Sequence, residues 1–298
     1  MTAQDSATGR STVAVGGGTA RATLAVLSFS LSFPATVWAL EGFGPWTVTG
    51  VRGLLAGLLA LACLSAARVP LPQRRHWPAL LTVAGGCVVG FPLLTTLALR
   101  TSTTAHSAVV IGVLPLATAA VSVALTGRRP SRTFWTAATL GALTVAAFTL
   151  QQSGGRPALG DLYLFGALLM CAVGYAQGGR LAAHLPGWQV IAWGVVAALP
   201  VSALITALAL PWEPAHPTAG AVAGMAYLAL VSQFGGFVLW YGGMAAIGVP
   251  RASQIQLAQP LLTLVWAVLL LGEEPGPLVA VTALVVLGCI VATQRARS

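Results

Sequence analysis

From Ala252 to Leu271 the chain is apolar over the length of a membrane-crossing helix, with Pro260 in the middle of the run. A helical span needs ~20 mostly apolar residues. A proline inside it removes one backbone donor and collides with the preceding turn. Within lipid such a break persists only where protein or a water-filled cavity takes up the freed backbone groups. The same arrangement recurs 145 residues upstream: Pro260 falls on Pro115, Gly272 on Gly127, Pro275 on Pro130 and Gly235 on Gly90, without a gap. A broken apolar helix repeated at that spacing points to a duplicated membrane bundle built like a carrier.

Composition leaves no soluble alternative. Of 298 residues 57% are hydrophobic and 7% charged, against roughly a quarter charged in soluble domains. Ten apolar segments follow: Thr23–Leu40, Pro45–Ala66, Trp77–Leu99, Thr104–Leu125, Thr133–Leu150, Leu159–Gly179, Trp188–Leu210, Ala219–Ala246, Ala252–Leu271 and Gly276–Thr293. The expected fold is an all-α polytopic membrane protein of ten transmembrane helices. Residues 1–20 are polar and glycine-rich and read as a disordered cytoplasmic tail. Arg10 and Arg21 before an apolar run mimic a secretory signal, but no clean cleavage site follows, so an uncleaved first helix is expected. The two repeats are then 21–150 and 156–295.

The net charge of +9 carries no lysine; every basic residue is arginine. With the N-terminus in the cytoplasm, the alternating connections place Arg10, Arg21, Arg68, Arg74, Arg75, Arg128, Arg129, Arg132, Arg180, Arg251, Arg295 and Arg297 inside. Only Arg100 and Arg156 fall outside, with Glu41, Asp161, Glu213, Glu273 and Glu274. That asymmetry is the positive-inside rule, so the basic balance reports orientation rather than nucleic-acid binding. Both termini are expected in the cytoplasm. Trp46, Trp77, Trp135, Trp188 and Trp212 fall at the predicted helix ends, as interfacial tryptophans do. Five helices per repeat is an odd number, so the second repeat is expected upside down relative to the first. Arg128 and Arg129 accordingly become Glu273 and Glu274 in the other copy.

Cys63, Cys87, Cys171 and Cys289 stand singly in apolar runs and read as small hydrophobes. Glu213-Pro214-Ala215-His216 has a metal-pair spacing, but Pro211, Pro214 and Pro217 forbid the helix that would align it. No phosphate loop is present. No metal, cofactor or nucleic-acid partner is expected.

At Leu239-Trp240-Tyr241, Ile247-Gly248-Val249-Pro250-Arg251-Ala252-Ser253, Pro260, Leu271-Gly272-Glu273 and Gly288, the chain resembles the EamA branch of the drug/metabolite transporter superfamily. The first half resembles it more loosely through Pro45, Val51-Arg52-Gly53-Leu54-Leu55, Thr104-Ala105, Pro115 and Gly127, and Gly160-Asp161-Leu162 is similar to the start of the second copy. Arg128 departs from the usual acidic residue. The resemblance covers nearly the whole chain past residue 20 and implies a ten-helix carrier, often an exporter of amino acids or other small metabolites.

Candidate site residues follow from polarity at depth. Pro115 and Pro260 are paired helix breaks beside a substrate path, or packing kinks. Ser253, Gln256 and Gln259 share one helix face, and Gln233 lies mid-helix beside Gly235-Gly236. Such amides face the bundle interior, where they contact substrate or bond a neighbouring helix. Arg52 lies roughly 10 Å inside the second span at 1.5 Å per residue, where a charge costs about 3 kcal/mol unless it pairs or snorkels. It either anchors a substrate carboxylate or reaches the interface or Glu41. His106 is the histidine nearest the apolar zone and a candidate proton site, or a helix cap. Tyr175, Gln177, Trp38 and Trp240 could form an aromatic and amide wall, or pack. Gly174/Gly178, Gly53/Gly57, Gly86/Gly90 and Gly220/Gly224 have the spacing of close helix contacts.

The expected function is a secondary transporter of small metabolites such as amino acids, an exporter by family habit, working by alternating access in the inner membrane. No Asp or Glu is expected in the middle of a span, which argues against a pump for lipophilic cations. Expected partners are a small-molecule substrate and membrane lipid, with transport either passive or coupled to protons through a site such as His106, and the chain a monomer or homodimer. A lipid flippase or drug efflux carrier on the same fold is the alternative; an intramembrane transferase would need clustered acids or histidines that are absent.

Overall fold

The computed structural model describes residues 3–127, 131–152, 154–156, 158–213, 215–247, 252 and 255–295. Among these, helices account for the architecture, and the one β feature is an isolated bridge between Phe43 and Ala215. In chain order the helices are α1 (Ala3–Ser30, resuming after Leu31 as Ser32–Leu40), α2 (Pro45–Ala66), α3 (Arg74–Ala98), α4 (Thr104–Leu125), α5 (Arg132–Gln152), α6 (Leu159–Leu181), α7 (Gly187–Ala209), α8 (Ala219–Ile247), α9 (Ala258–Leu271) and α10 (Pro277–Arg295). The first eight are long and apolar enough to cross a membrane; α9 and α10 have shorter apolar stretches. Leu140, Leu143, Leu204, Leu208, Leu269 and Leu284 are each more than half exposed on the outside of the bundle, a surface suited to lipid and not to water. Helix α1 begins at Ala3, within the polar, glycine-rich stretch that precedes the first apolar run.

Local sequence sets the ends. Pro45 opens α2 at a position where its missing N–H has no partner to lose. Thr103 and Thr218 accept the backbone N–H of His106 and Ala221 at the starts of α4 and α8. Gly127 and Gly272, equivalent in the two repeats, both terminate their helices with φ +65°, a left-handed cap glycine adopts without strain.

Packing joins the repeats in reciprocal helix pairs. Gly50, Gly53 and Gly57 of α2 meet Thr206, Ser202 and Leu199 of α7 in turn, so the two run antiparallel. On α1, Ala22, Phe29 and Ala39 meet Gly243, Gly236 and Gly224 of α8; on α3, Val83, Cys87 and Leu94 meet Gly178, Gly174 and Gly166 of α6. Pairs α4–α9 and α5–α10 complete the set. First-with-third in one direction is matched by third-with-first in the other. That pairing is a pseudo-twofold.

The ends of the bundle differ in charge. At one end the Phe43–Ala215 bridge joins the α1–α2 and α7–α8 connections, and Glu213, Glu273 and Asp161 all bond to first-repeat residues or lie among them. At the other, His76 and His184 stack at 6.2 Å, bringing together the connections that carry Arg68, Arg74, Arg75 and Arg180.

Candidate functional site

The proline-bearing helices are interrupted where their prolines require. Pro115 and Pro260 clash with the turn four residues back, and α4 leaves regular helix at Gly112–Val113 while the ninth helical segment turns at Leu257. Gly112 and Leu257 are equivalent in the two repeats, and a Cβ at Gly112 would lie 3.5 Å from the Cβ of Pro260. The two breaks meet. A second matched irregularity flanks them: α3 widens to a π-helix over Ala84–Gly90 and α8 over Tyr227–Gly235. Such widenings shift side chains off the regular helical register and favour functional sites.

A cavity lies between these irregular stretches, with walls from α1–α4, α6, α8, α10 and the segment around Pro260. It leaves about 70 Å³ for the centres of water-sized bodies, several times the ~10–15 Å³ that one water needs. Its polar groups are linked. Arg52, 6% exposed, donates through Nη2 to Ser232 Oγ at 3.4 Å, and Ser232 Oγ lies 2.8 Å from Ser32 Oγ. Gln233 donates through Nε2 to the Cys87 carbonyl at 3.4 Å, and its Oε1 has no partner; neither has Arg52 Nε. Gln256 and Gln259 add to the polar lining. Opposite stands an aromatic wall in which Phe29 and Phe237 meet edge to face at 4.9 Å and Tyr175 meets Phe237 at 6.0 Å.

The structure thus brings Arg52, Gln233, Gln256, Gln259, Tyr175, Pro115 and Pro260 to one cavity. Ser253 lies outside the described residues. Four candidates go elsewhere. Trp240 is buried in the core against Phe29, because it occupies the α1–α8 seam. Trp38 packs beside Gly224 in the same seam. Gln177, near the end of α6, bonds Arg180 at 3.5 Å. His106 is not in the cavity but 2.6 Å from Asp161, with its ring 5.1 Å from Phe148. Arg52 bonds neither interface nor Glu41. Ser32, Ser232, Thr36 and Thr263 also line the cavity; Ser232 was findable as the repeat partner of Cys87, since both face inward at matched positions.

Three carboxylates link the repeats at the acidic end. Glu213 accepts the backbone N–H groups of Trp46 and Thr47, and Glu273 those of Thr104 and Ala105 at 2.7 and 2.9 Å. Asp161, buried in the first turn of α6, holds His106. Glu213 and Glu273 satisfy open donors at the starts of first-repeat helices from the second repeat, and Asp161 reaches a first-repeat side chain. Among the described residues, no cluster of His, Cys, Asp and Glu is fit to hold a metal.

Two matches cover the chain's halves: the EamA-like transporter family fits residues 18–150 and again 158–294. The uncharacterized transporter YdeK of Bacillus subtilis (strain 168) is 40% identical over 272 residues, 91% of this chain and 95% of the relative. A crystal structure 23% identical covers 93% of this chain and 97% of its own, with a TM-score of 0.64, and shares the fold.

Proposed function

The chain belongs to the EamA-like transporter family, and from that premise we propose that it is a secondary exporter of small metabolites, amino acids or solutes of similar size, working by alternating access. It is a multi-pass membrane protein and a transporter rather than an enzyme. In this reading all ten apolar helices cross the cytoplasmic membrane as two inverted five-helix repeats. The end bearing Arg68, Arg74, Arg75 and Arg180 faces the cytoplasm with both termini. The observation that carries the reading is the meeting of the two equivalent helix breaks at a polar cavity on the pseudo-twofold. A site there stands at the same distance from both ends, and rocking one repeat against the other exposes it to each in turn. Gln233, Gln256, Gln259, Arg52 and Tyr175 contact the solute, and the breaks at Pro115 and Pro260 bend as the repeats rock.

Counterflow of radiolabelled amino acids and small organic acids in proteoliposomes, at two pH values, tests the reading. Saturable exchange above that of empty liposomes is expected. Exchange that rises linearly with solute and matches protein-free vesicles would remove the carrier assignment. The pH pair tests for proton coupling, and the His106–Asp161 contact joins the two repeats at 2.6 Å.

A further inference from the structure

We propose that the cavity selects small carboxylates with an apolar body, and that Arg52 is the residue that receives the carboxylate. The proposal rests on the transport reading above and names the substrate class of that site. Among the described residues that line the cavity, Arg52 is the one cation, and none is Asp or Glu. Its single bond, to Ser232, is long, and its Nε is buried with no partner. A guanidinium is a planar fork that fits a carboxylate through two parallel bonds. Arg52 lines the cavity together with Ser32, Ser232 and Gln233, whose amide oxygen is also buried without a partner. Glu213, Glu273 and Asp161 are engaged at the acidic end and supply no counter-charge. A buried cation in a membrane protein without a protein partner is held in readiness for one that arrives.

The repeat sharpens the shape of the solute. Matched positions around the cavity are chemically unequal: Cys87 with Ser232, Ile111 with Gln256, and Leu114 with Gln259. The second repeat supplies the hydrogen-bonding groups and the first supplies apolar ones at the same places. One end of the bound molecule is therefore polar, and its body lies against Phe29, Phe33 and Phe237. An organic cation would meet a guanidinium and find no carboxylate.

The test is ligand-induced stabilisation of the full-length protein in detergent, since a ligand that binds only the folded state raises its melting temperature. The probes are phenylacetate, hexanoate and N-acetylleucine, each beside its primary amide, with phenylethylammonium as the cation. The acids raise the melting temperature while the amides and the cation leave it unchanged. Arg52→Gln weakens acid binding about tenfold or more, and Arg52→Lys keeps part of it. Arg52→Gln without ligand melts no lower than the unaltered protein, which separates a binding role from a packing one. Equal shifts for acids and amides overturn the proposal, as do acid shifts untouched by Arg52→Gln or no shift with any of the three acids. A shift with palmitate in mixed micelles and with none of the short acids overturns the soluble-solute class. Acid-selective binding without counterflow would leave this inference standing and remove the transport reading; counterflow indifferent to charge would do the reverse.

Discussion

Gln233 shows what a single side chain contributes here. It is 1% exposed, holds the Cys87 carbonyl at 3.4 Å through its amide nitrogen and leaves its oxygen unpartnered. An unsatisfied buried polar group costs about 1–3 kcal/mol. Gln233→Leu keeps the volume and removes that cost, so the variant is expected to melt at the same or a higher temperature while its counterflow rate falls several-fold. A loss of both stability and transport would mark the amide as structural glue. Gln259→Ala, at the break itself, is expected to lower counterflow with membrane insertion intact. The amides were legible in the sequence because an amide in an apolar run has few other reasons to exist. The hydroxyls were not, because a serine or threonine can bond the carbonyl one turn back, as Thr36 does to Ser32 at 2.7 Å. Trp38 and Trp240 stayed open between wall and packing in the sequence, because an aromatic ring suits a cavity wall and a helix seam equally well and nothing local tells them apart. The partner of His106 was not readable, because Asp161 lies 55 residues away in sequence.

Helix ends are the elements on which opening would depend. The starts of α2 and α4 carry unsatisfied backbone donors, and the second repeat reaches across with Glu213 and Glu273 to accept them. Such a carboxylate combines the hydrogen bonds of an N-cap with a favourable charge at the helix N-terminus. Glu273→Ala is expected to cost about 0.5–2 kcal/mol and to speed hydrogen exchange of the amides at Thr104 and Ala105. The start of α2, capped by Glu213, serves as the internal control and keeps its protection. Equal acceleration at both helix starts would mean a general loosening instead of a lost cap. The breaks of α4 and α9 were readable from the prolines, to within a turn. The trans-caps were not, since sequence placed these acids only on the same side and gave no sign of which helix each would reach. The π-widenings were equally silent: Pro92 lies just past the first, but Phe237 stands at its place in the second.

Under the proposed mechanism the whole molecule divides into a seam that stays closed and an end that parts. The duplication at 145 residues was visible in the chain, and so was the need for inversion. Which helices of the two repeats would touch was not, because that depends on surfaces facing each other across the pseudo-twofold. The glycines of α2 decide it. At Gly50 an added Cβ would lie 2.6 Å from Thr206 Oγ1 and 2.7 Å from the Thr206 backbone nitrogen, and backbone cannot rotate away. Gly288 on α10 meets nothing within 4 Å. Alanine improves helix propensity at either place by about 1 kcal/mol. Gly288→Ala is therefore expected to raise the melting temperature slightly. Gly50→Ala is expected to lower it, because overpacking costs about 1–3 kcal/mol and exceeds the propensity gain. If both variants rise together, the α2–α7 contact yields under load, and the repeats could then slide along it. If only Gly50→Ala falls, the seam is rigid and relative motion of the repeats must pivot about it. Under the proposed mechanism the three carboxylate links at the acidic end and the breaks at Pro115 and Pro260 are then the parts that move.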